Sequence, residues 1–285
     1  MMNTDNLIIV IGSGTMGRGI AQVALSHGFR VHLVDSVQSQ RELAHKSISQ
    51  GIGRALENGQ VSPEGTLNWS ERLTMGPDWH SLKPSWVIEA IPESMDLKGP
   101  LFTKLDEEFG ESVWLASNTS SIALTAIQGM ATRFPHRVGG LHFFNPVPRM
   151  ALVEVIAGMA TAPNFVSAAH DLVKGWGKEP VTVPDRPGFL VNRVARPYYL
   201  EALRMVEEGV VDYADCDRIF EGAGFPMGPF RLMDLVGIDV NFSVSQSVFE
   251  QTFYDPRYRP HALQQNKIWL GHLGRKSKRG FYSYE

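Results

Sequence analysis

Two residues of opposite proton character sit in otherwise apolar runs: His142 in Leu141-His142-Phe143-Phe144-Asn145-Pro146, and Glu154 in Leu152-Val153-Glu154-Val155-Ile156. A carboxylate in such a run is costly to bury unpaired, and a nearby imidazole is its natural partner. Imidazole is also the side chain best tuned to take a proton near neutral pH. Removal of a hydroxyl proton is what must accompany departure of a hydride from a secondary alcohol. Most histidines are surface or satisfied core groups, and His27, His32, His45, His80, His136, His170, His261 and His272 carry no sign of anything else. His142 differs through its place at a strand end and its candidate acid partner. A second polar cluster, Ser117-Asn118-Thr119-Ser120-Ser121, follows the run ending at Ala116. In an open parallel sheet the carboxyl ends of the strands face the ligand crevice, so Ser120, His142 and Asn145 are expected to point the same way.

A hydride needs an acceptor, and the amino-terminal region offers a place for one. Gly12-Ser13-Gly14-Thr15-Met16-Gly17 directly follows the apolar run Leu7 to Ile11, precedes a helix-forming stretch, and is answered by Asp35 at the end of the next strand-like run. This is the context in which G-x-G-x-x-G binds a dinucleotide: a tight turn, close approach of backbone to pyrophosphate, and a helix amino terminus facing the phosphates. Asp35 is placed to accept hydrogen bonds from the adenosine ribose. A carboxylate there repels a 2'-phosphate and the next residue is Ser36, so NAD is expected rather than NADP. No metal site is expected.

The elements that must position these groups alternate in the first half of the chain. Short β-branched runs at 7–11, 30–34, 86–90, 113–116, 138–142, 152–156 and 180–183 are separated by segments of helical period, the pattern of a parallel sheet flanked by helices. One crossover, about 38–84, is unusually long. Its first part, 39–56, sets Leu43, Ile48, Ile52, Ala55 and Leu56 near one helical face. After Asp185-Arg186-Pro187-Gly188 the strand-like runs stop and the remainder reads as helices broken by proline and glycine. The expectation is an α/β chain: a Rossmann-type doubly wound domain over 1–186 and an all-helical domain over 187–285. Large apolar residues in that second half, Leu190, Val194, Tyr198, Met205 and Val206 among them, exceed what one small core needs and suggest a homodimer interface.

With 285 residues, 43% of them hydrophobic, the chain can bury a sizeable core. A formal net charge of -3 supplies no positive field for nucleic acid or an anionic membrane. The single cysteine, Cys216, and the lack of a long amino-terminal apolar run point to a soluble protein of a reducing compartment, expected to be the cytoplasm.

In order along the chain, Gly12 to Ala21 (GSGTMGRGIA), Ser117 to Ile122 (SNTSSI), Leu141 to Pro148 (LHFFNPVP), Leu152 to Ile156 (LVEVI), Pro187 to Arg193 (PGFLVNR) and Gly274 to Tyr282 (GRKSKRGFY) resemble the motifs of the 3-hydroxyacyl-CoA dehydrogenases. The likeness spans essentially the whole chain. Over Arg186 to Glu208 and Gly224 to Phe242 it resembles the bacterial branch acting on 3-hydroxybutyryl-CoA and 3-hydroxyadipyl-CoA. The resemblance implies that His142 is the catalytic acid/base and Glu154 its carboxylate partner. It implies that Ser120 and Asn192 bind the reacting oxygen, that Asn145 helps place the histidine, and that Asp35, Glu93 and Lys98 contact the cofactor. From context alone, Lys98 reads as a solvated helix charge and Asn192 as a helix-start residue bonding its own backbone.

The chain departs from the family at Glu57-Asn58-Gly59-Gln60-Val61, where relatives usually carry cations suited to coenzyme A phosphates; here Lys46 and Arg54 are the cations nearby. The expected substrate is an acyl thioester of coenzyme A, with a carrier-protein thioester as the alternative. A free hydroxy-acid or sugar-acid dehydrogenase and a dinucleotide-binding redox sensor are the competing readings. Arg149 could pair with a distal carboxylate of the acyl tail, although a surface role is the commoner fate of such an arginine.

Overall fold

Hydrophobic periodicity resolves into alternating strands and helices from the first described residue of the computed structural model, which describes residues 7–285. Residues 1–6, with which the expected first domain opens, lie outside them. Contacts divide the chain into a unit ending at Arg186 and a second unit, Pro187–Glu285.

In the first unit, β1 (Leu7–Ile11), α1 (Thr15–Ser26), β2 (Arg30–Val34) and α2 (Gln38–Glu57) lead through the short helices α3 (Pro63–Thr66) and α4 (Trp69–Arg72) to β3 (Leu73–Gly76). Then follow β4 (Trp86–Glu89), α5 (Met95–Glu108), β5 (Trp114–Ser117), α6 (Leu124–Gln128), β6 (Val138–Phe143), β7 (Leu152–Ala157), α7 (Pro163–Gly175) and β8 (Glu179–Pro184). All eight strands form one sheet in the order β3-β2-β1-β4-β5-β6-β7-β8. Its central strands are apolar on both faces, as a sheet covered on both sides by helices must be: Ile8, Ile9, Val10, Leu33 and Ile88 are wholly buried.

Three features differ from the sequence expectation. First, the sheet is not parallel throughout: β7 pairs antiparallel with β6, and β8 runs parallel to β7. The β6–β7 connection, residues 144–151, is too short for the crossover of a dozen or more residues that a parallel pair requires. Second, β3 emerges from the polar crossover as an edge strand in which only Leu73 is buried, so it has no apolar run to betray it. Third, the buried stripe of α2 is Ala44, Ile48, Ile52 and Ala55, while Leu43 and Leu56 face outward. A period of 3.6 residues passes through the first four and leaves the leucines off the face.

The second unit is built from α8 (Val191–Glu207), α9 (Tyr213–Gly222), α10 (Pro229–Val236), α11 (Ile238–Gln251) and α12 (Ala262–Trp269). Tyr199, Leu200, Leu203, Phe230, Met233, Ile238 and Phe281 form its core. Two buried aspartates close it: Asp217 accepts from the Phe230 and Arg231 amides, and Asp234 accepts from the Phe281 and Tyr282 amides.

Candidate active site

His142 on β6 and Glu154 on β7 are direct partners in the antiparallel register, which turns two residues twelve apart in sequence into neighbours. The imidazole Nδ1 lies 2.6 Å from Glu154 Oε2, with His142 6% exposed and Glu154 wholly buried. An ionised carboxylate only accepts, so Nδ1 carries the proton and Nε2 is the acceptor nitrogen of the neutral ring. The Phe144 ring flanks the imidazole at 4.5 Å between centroids. Asn118 Oδ1 accepts from the Phe143 amide at 2.9 Å and so ties the loop after β5 to the end of β6. Asn145 is exposed, at the start of the turn that follows, and its peptide bond to Pro146 is cis.

Beside this pair, the 117–121 loop is gathered around one carboxylate oxygen. Glu93 Oε1 accepts from Thr119 Oγ1 (2.7 Å), from the Ser120 and Ser121 amides (both 2.8 Å) and from Ser121 Oγ (3.0 Å), with Ser120 Oγ at 3.2 Å. Burial opposes ionisation of Glu93. The nearby Lys98 charge and these hydrogen bonds outweigh it, holding the carboxyl below the usual glutamate range. Lys98 is not the solvated charge its helical context suggests. It is 1% exposed, with Nζ 2.5 Å from Glu89 Oε1, 3.4 Å from Glu93 Oε2 and 3.4 Å from the Ile91 carbonyl. Glu89, wholly buried on β4, accepts further from Ser117 Oγ and the Ile91 amide. Sequence reasoning passed over Glu89 and gave Ser117 no role beyond membership of the 117–121 cluster. The signal was present, because Glu89 sits in Trp86-Val87-Ile88-Glu89-Ala90 much as Glu154 sits in its own apolar run.

At the same carboxyl ends of these parallel strands, directly after β1, the glycine turn has the geometry a dinucleotide needs. Gly12 has φ +99°, and a Cβ on it would lie 2.6 Å from the Ala90 carbonyl; a Cβ on Gly17 would lie 1.7 Å from the Gly12 carbonyl. Gly14, by contrast, faces open space, and the first turn of α1 carries no acidic residue, leaving its amides to an anion. Thr15 and Met16 begin that helix and line the same cavity, of about 600 Å³, with Gly12, Gly14 and Asp35 on one side and the apolar wall of Trp79 and Leu101 on another. Asp35 Oδ2 accepts from the Ser13 amide (2.9 Å) and hydroxyl (2.8 Å), and Oδ1 from the Val37 amide (3.0 Å). Against the cost of burial, the Val37 and Ser13 bonds and the Arg41 charge hold this carboxyl below its usual value. Open backbone for phosphates, an ionised aspartate for ribose hydroxyls and an apolar wall for a base fit NAD. Trp79 is the lining residue that no motif announced.

A further cavity of about 450 Å³ lies between α2 and the turn after β6, lined by Arg54 and Arg149 with Gln22, Gly51 and Asn58 and by no acidic residue. Lys46 is exposed on α2 and is not among its lining residues. Asn192 stands in the first turn of α8 in the second unit, half-buried, its carbonyl accepting from Arg196 Nε at 3.1 Å. Among the described residues no group of three or more His, Cys, Asp or Glu is placed to hold a metal ion, and no helix is long and apolar enough to cross a membrane.

Comparison with known proteins agrees with this geometry. Residues 7–186 match the family model of the 3-hydroxyacyl-CoA dehydrogenase NAD binding domain, and 188–284 that of the 3-hydroxyacyl-CoA dehydrogenase C-terminal domain. The 3-hydroxyadipyl-CoA dehydrogenase of Escherichia coli is 44% identical over 286 residues, covering 100% of this chain, which spans 60% of that protein's length. The mitochondrial hydroxyacyl-coenzyme A dehydrogenase of Rattus norvegicus is 39% identical, covering 98% of this chain and 91% of its own. The crystal structure of (S)-3-hydroxybutyryl-CoA dehydrogenase from Ralstonia eutropha superposes with a TM-score of 0.92 at 35% identity, covering 99% of both chains. With both of its parts matched in order and full-length relatives well above 30% identity, this chain belongs to the 3-hydroxyacyl-CoA dehydrogenase family.

Proposed function

We propose that this chain oxidises a (3S)-3-hydroxyacyl-CoA reversibly to the 3-oxoacyl-CoA, on a short-chain or dicarboxylic acyl group. The observation that carries this reading is the buried His142–Glu154 pair, built into the same sheet as the dinucleotide turn. NAD, when bound, takes up the hydride from C3 of the acyl group. His142 Nε2 receives the hydroxyl proton as that hydride departs, and Glu154 stabilises the imidazolium that results. Ser120 donates to the reacting oxygen, presented by the loop that Glu93 gathers. Asn192 is assigned the second donor on the strength of its Pro187 to Arg193 motif, and Asn145 the placement of His142 on that of Leu141 to Pro148. Lys98 serves the cofactor side indirectly, by anchoring Glu93.

Arg54 and Arg149 offer the phosphates of coenzyme A two cations where no carboxylate competes. Replacing both by alanine is expected to raise KM for acetoacetyl-CoA roughly tenfold or more, the scale of one lost charge-assisted bond, without changing turnover of the N-acetylcysteamine thioester. NADH consumption on coenzyme A, N-acetylcysteamine and carrier-protein thioesters of the same acyl group tests this. Equal or faster turnover of the carrier-bound form would overturn the assignment to coenzyme A.

The second unit leaves Val194, Val210, Ile219, Phe253, Trp269 and Leu270 more than half exposed. Such apolar excess supports a homodimer formed through this unit. Light scattering on the eluting protein checks it, a monomer mass at micromolar concentration being the contrary result. A single buried cysteine is in keeping with the reducing cytoplasm. Fractionation of the producing cells tests that placement, recovery outside the cytoplasmic fraction being the result against it.

A further inference from the structure

Lys178, between α7 and β8, is a buried cation without a buried anion. It is 6% exposed, and its ammonium donates to two main-chain carbonyls, Val147 at 2.6 Å and Met150 at 2.7 Å. Among the described residues no carboxylate forms an ion pair with it, and burial pushes its pKa down. Burying an ammonium is costly, and a methionine of similar shape would avoid that cost only by leaving both carbonyls without this donor. The cost calls for a reason.

The carbonyls it holds supply one. They belong to the turn directly after the strand of His142, in which the Arg149 and Met150 amides already fold back onto the Pro146 carbonyl at 2.9 and 3.1 Å. On its other side this turn rests against α1, the helix that opens at the dinucleotide turn. Val147 is 2% exposed, and a Cβ placed on Gly19 would lie 2.9 Å from Val147 Cβ, so only bare backbone lets it approach. The segment from Asn145 to Met150 is thus clamped between Lys178 and α1, and only Phe143 and Phe144 separate it from His142.

We propose that Lys178 is a positioning residue for the reaction: its ammonium locks the 145–150 turn and, through the end of β6, fixes His142 and Asn145 relative to the substrate. This rests on the reading of His142 as the group that moves the proton. Because a misplacement of about 1 Å can cost on the order of a hundredfold in rate, the effect falls on turnover rather than on binding.

The experiment compares the full-length enzyme with Lys178→Met and Lys178→Ala, measuring kcat and KM with acetoacetyl-CoA, NADH affinity by fluorescence, and melting temperature. Lys178→Met is expected to lower kcat roughly 10- to 100-fold, with KM and NADH affinity within about twofold of the parent. A cavity of about 210 Å³ adjoins Lys178. Methylammonium added to Lys178→Ala is therefore expected to restore part of the lost turnover. A folded Lys178→Met enzyme with the parent's kcat overturns the inference, and so does failure of both variants to fold, which would make Lys178 scaffold alone. No turnover by the unmodified enzyme would overturn the functional reading and this inference with it, whereas parental turnover kept by the variant overturns the inference only.

Discussion

Two carboxylates of the sheet, Glu89 on β4 and Glu154 on β7, are both wholly buried, both set in apolar strands, and each held by a basic partner. Glu89 meets Lys98 at 2.5 Å and Glu154 meets His142 at 2.6 Å, so distance and burial do not tell them apart. The partners do. An ammonium has donors only, and Lys98 directs them to Glu89, Glu93 and the Ile91 carbonyl, so that pair fixes the loop that bears Ser120. An imidazole engaged at Nδ1 still has a second nitrogen that can accept a proton and give it back. In this sheet each of the two buried glutamates therefore marks an anchored base, and the proton inventory of that base decides whether the pair serves as scaffold or as reagent.

The sharpest way to break this comparison is to exchange the bases' capacities. His142→Gln keeps a donor for Glu154 but removes the nitrogen that takes the proton, and it is expected to lower kcat/KM by roughly 10²- to 10⁴-fold, the usual worth of general acid–base catalysis. Glu154→Gln frees the tautomer and orientation of the ring and is expected to cost somewhat less, nearer the lower end of that range at about 10²-fold. NADH affinity should remain near that of the parent in both. Near-parental turnover by a folded His142→Gln enzyme would remove the distinction between the two pairs.

How much of this was legible depended on whether the signal is local. Strands β1 and β2, the glycine turn and Asp35 are written in contiguous residues. The reversal of β7 was written too, in the short 144–151 connection, but hydrophobic runs carry no direction and were read as parallel. Strand β3 has almost no buried face, so its four residues look like loop until β2 offers them an edge. Of the site, His142 and Glu154 could be paired because each is odd in its run, and Glu89 carried the same oddity unread. Its partner Lys98 lies on a helix whose polar surroundings disguise a buried position. Lys178 and Trp79 were invisible for the opposite reason: neither is unusual until the chain folds a turn or a cavity against it.

Lys98→Met sharpens the comparison from the scaffold side. It leaves Glu89 buried without its counter-charge, and removal of one partner of a buried pair typically costs about 3–5 kcal/mol. Stability should fall by that order in urea titrations, while kcat of the enzyme that remains folded drops much less than for His142→Gln. Pairing it with Glu89→Gln should return a large part of the stability, because no lone charge is then left inside. A Lys98→Met enzyme of parental stability but negligible turnover would show that this pair, too, acts in the chemistry.

The smallest effect concerns Glu93, where the two roles meet. Its carboxyl is held below the usual glutamate value of 4.5: burial works against ionisation, but Lys98, Thr119, Ser120 and Ser121 together outweigh it. A folded-state pKa lower than the unfolded one contributes stability that is fully present above the unfolded value and is lost as pH falls through the folded one. Glu93→Gln should therefore melt lower than the parent at pH 7, and the gap should narrow progressively once pH drops below about 4.5. Melting curves of the two proteins between neutral and acidic pH measure it. A gap that stays constant would mean that Glu93 holds the Ser120 loop through hydrogen-bond geometry alone, with its charge contributing nothing to the anchor.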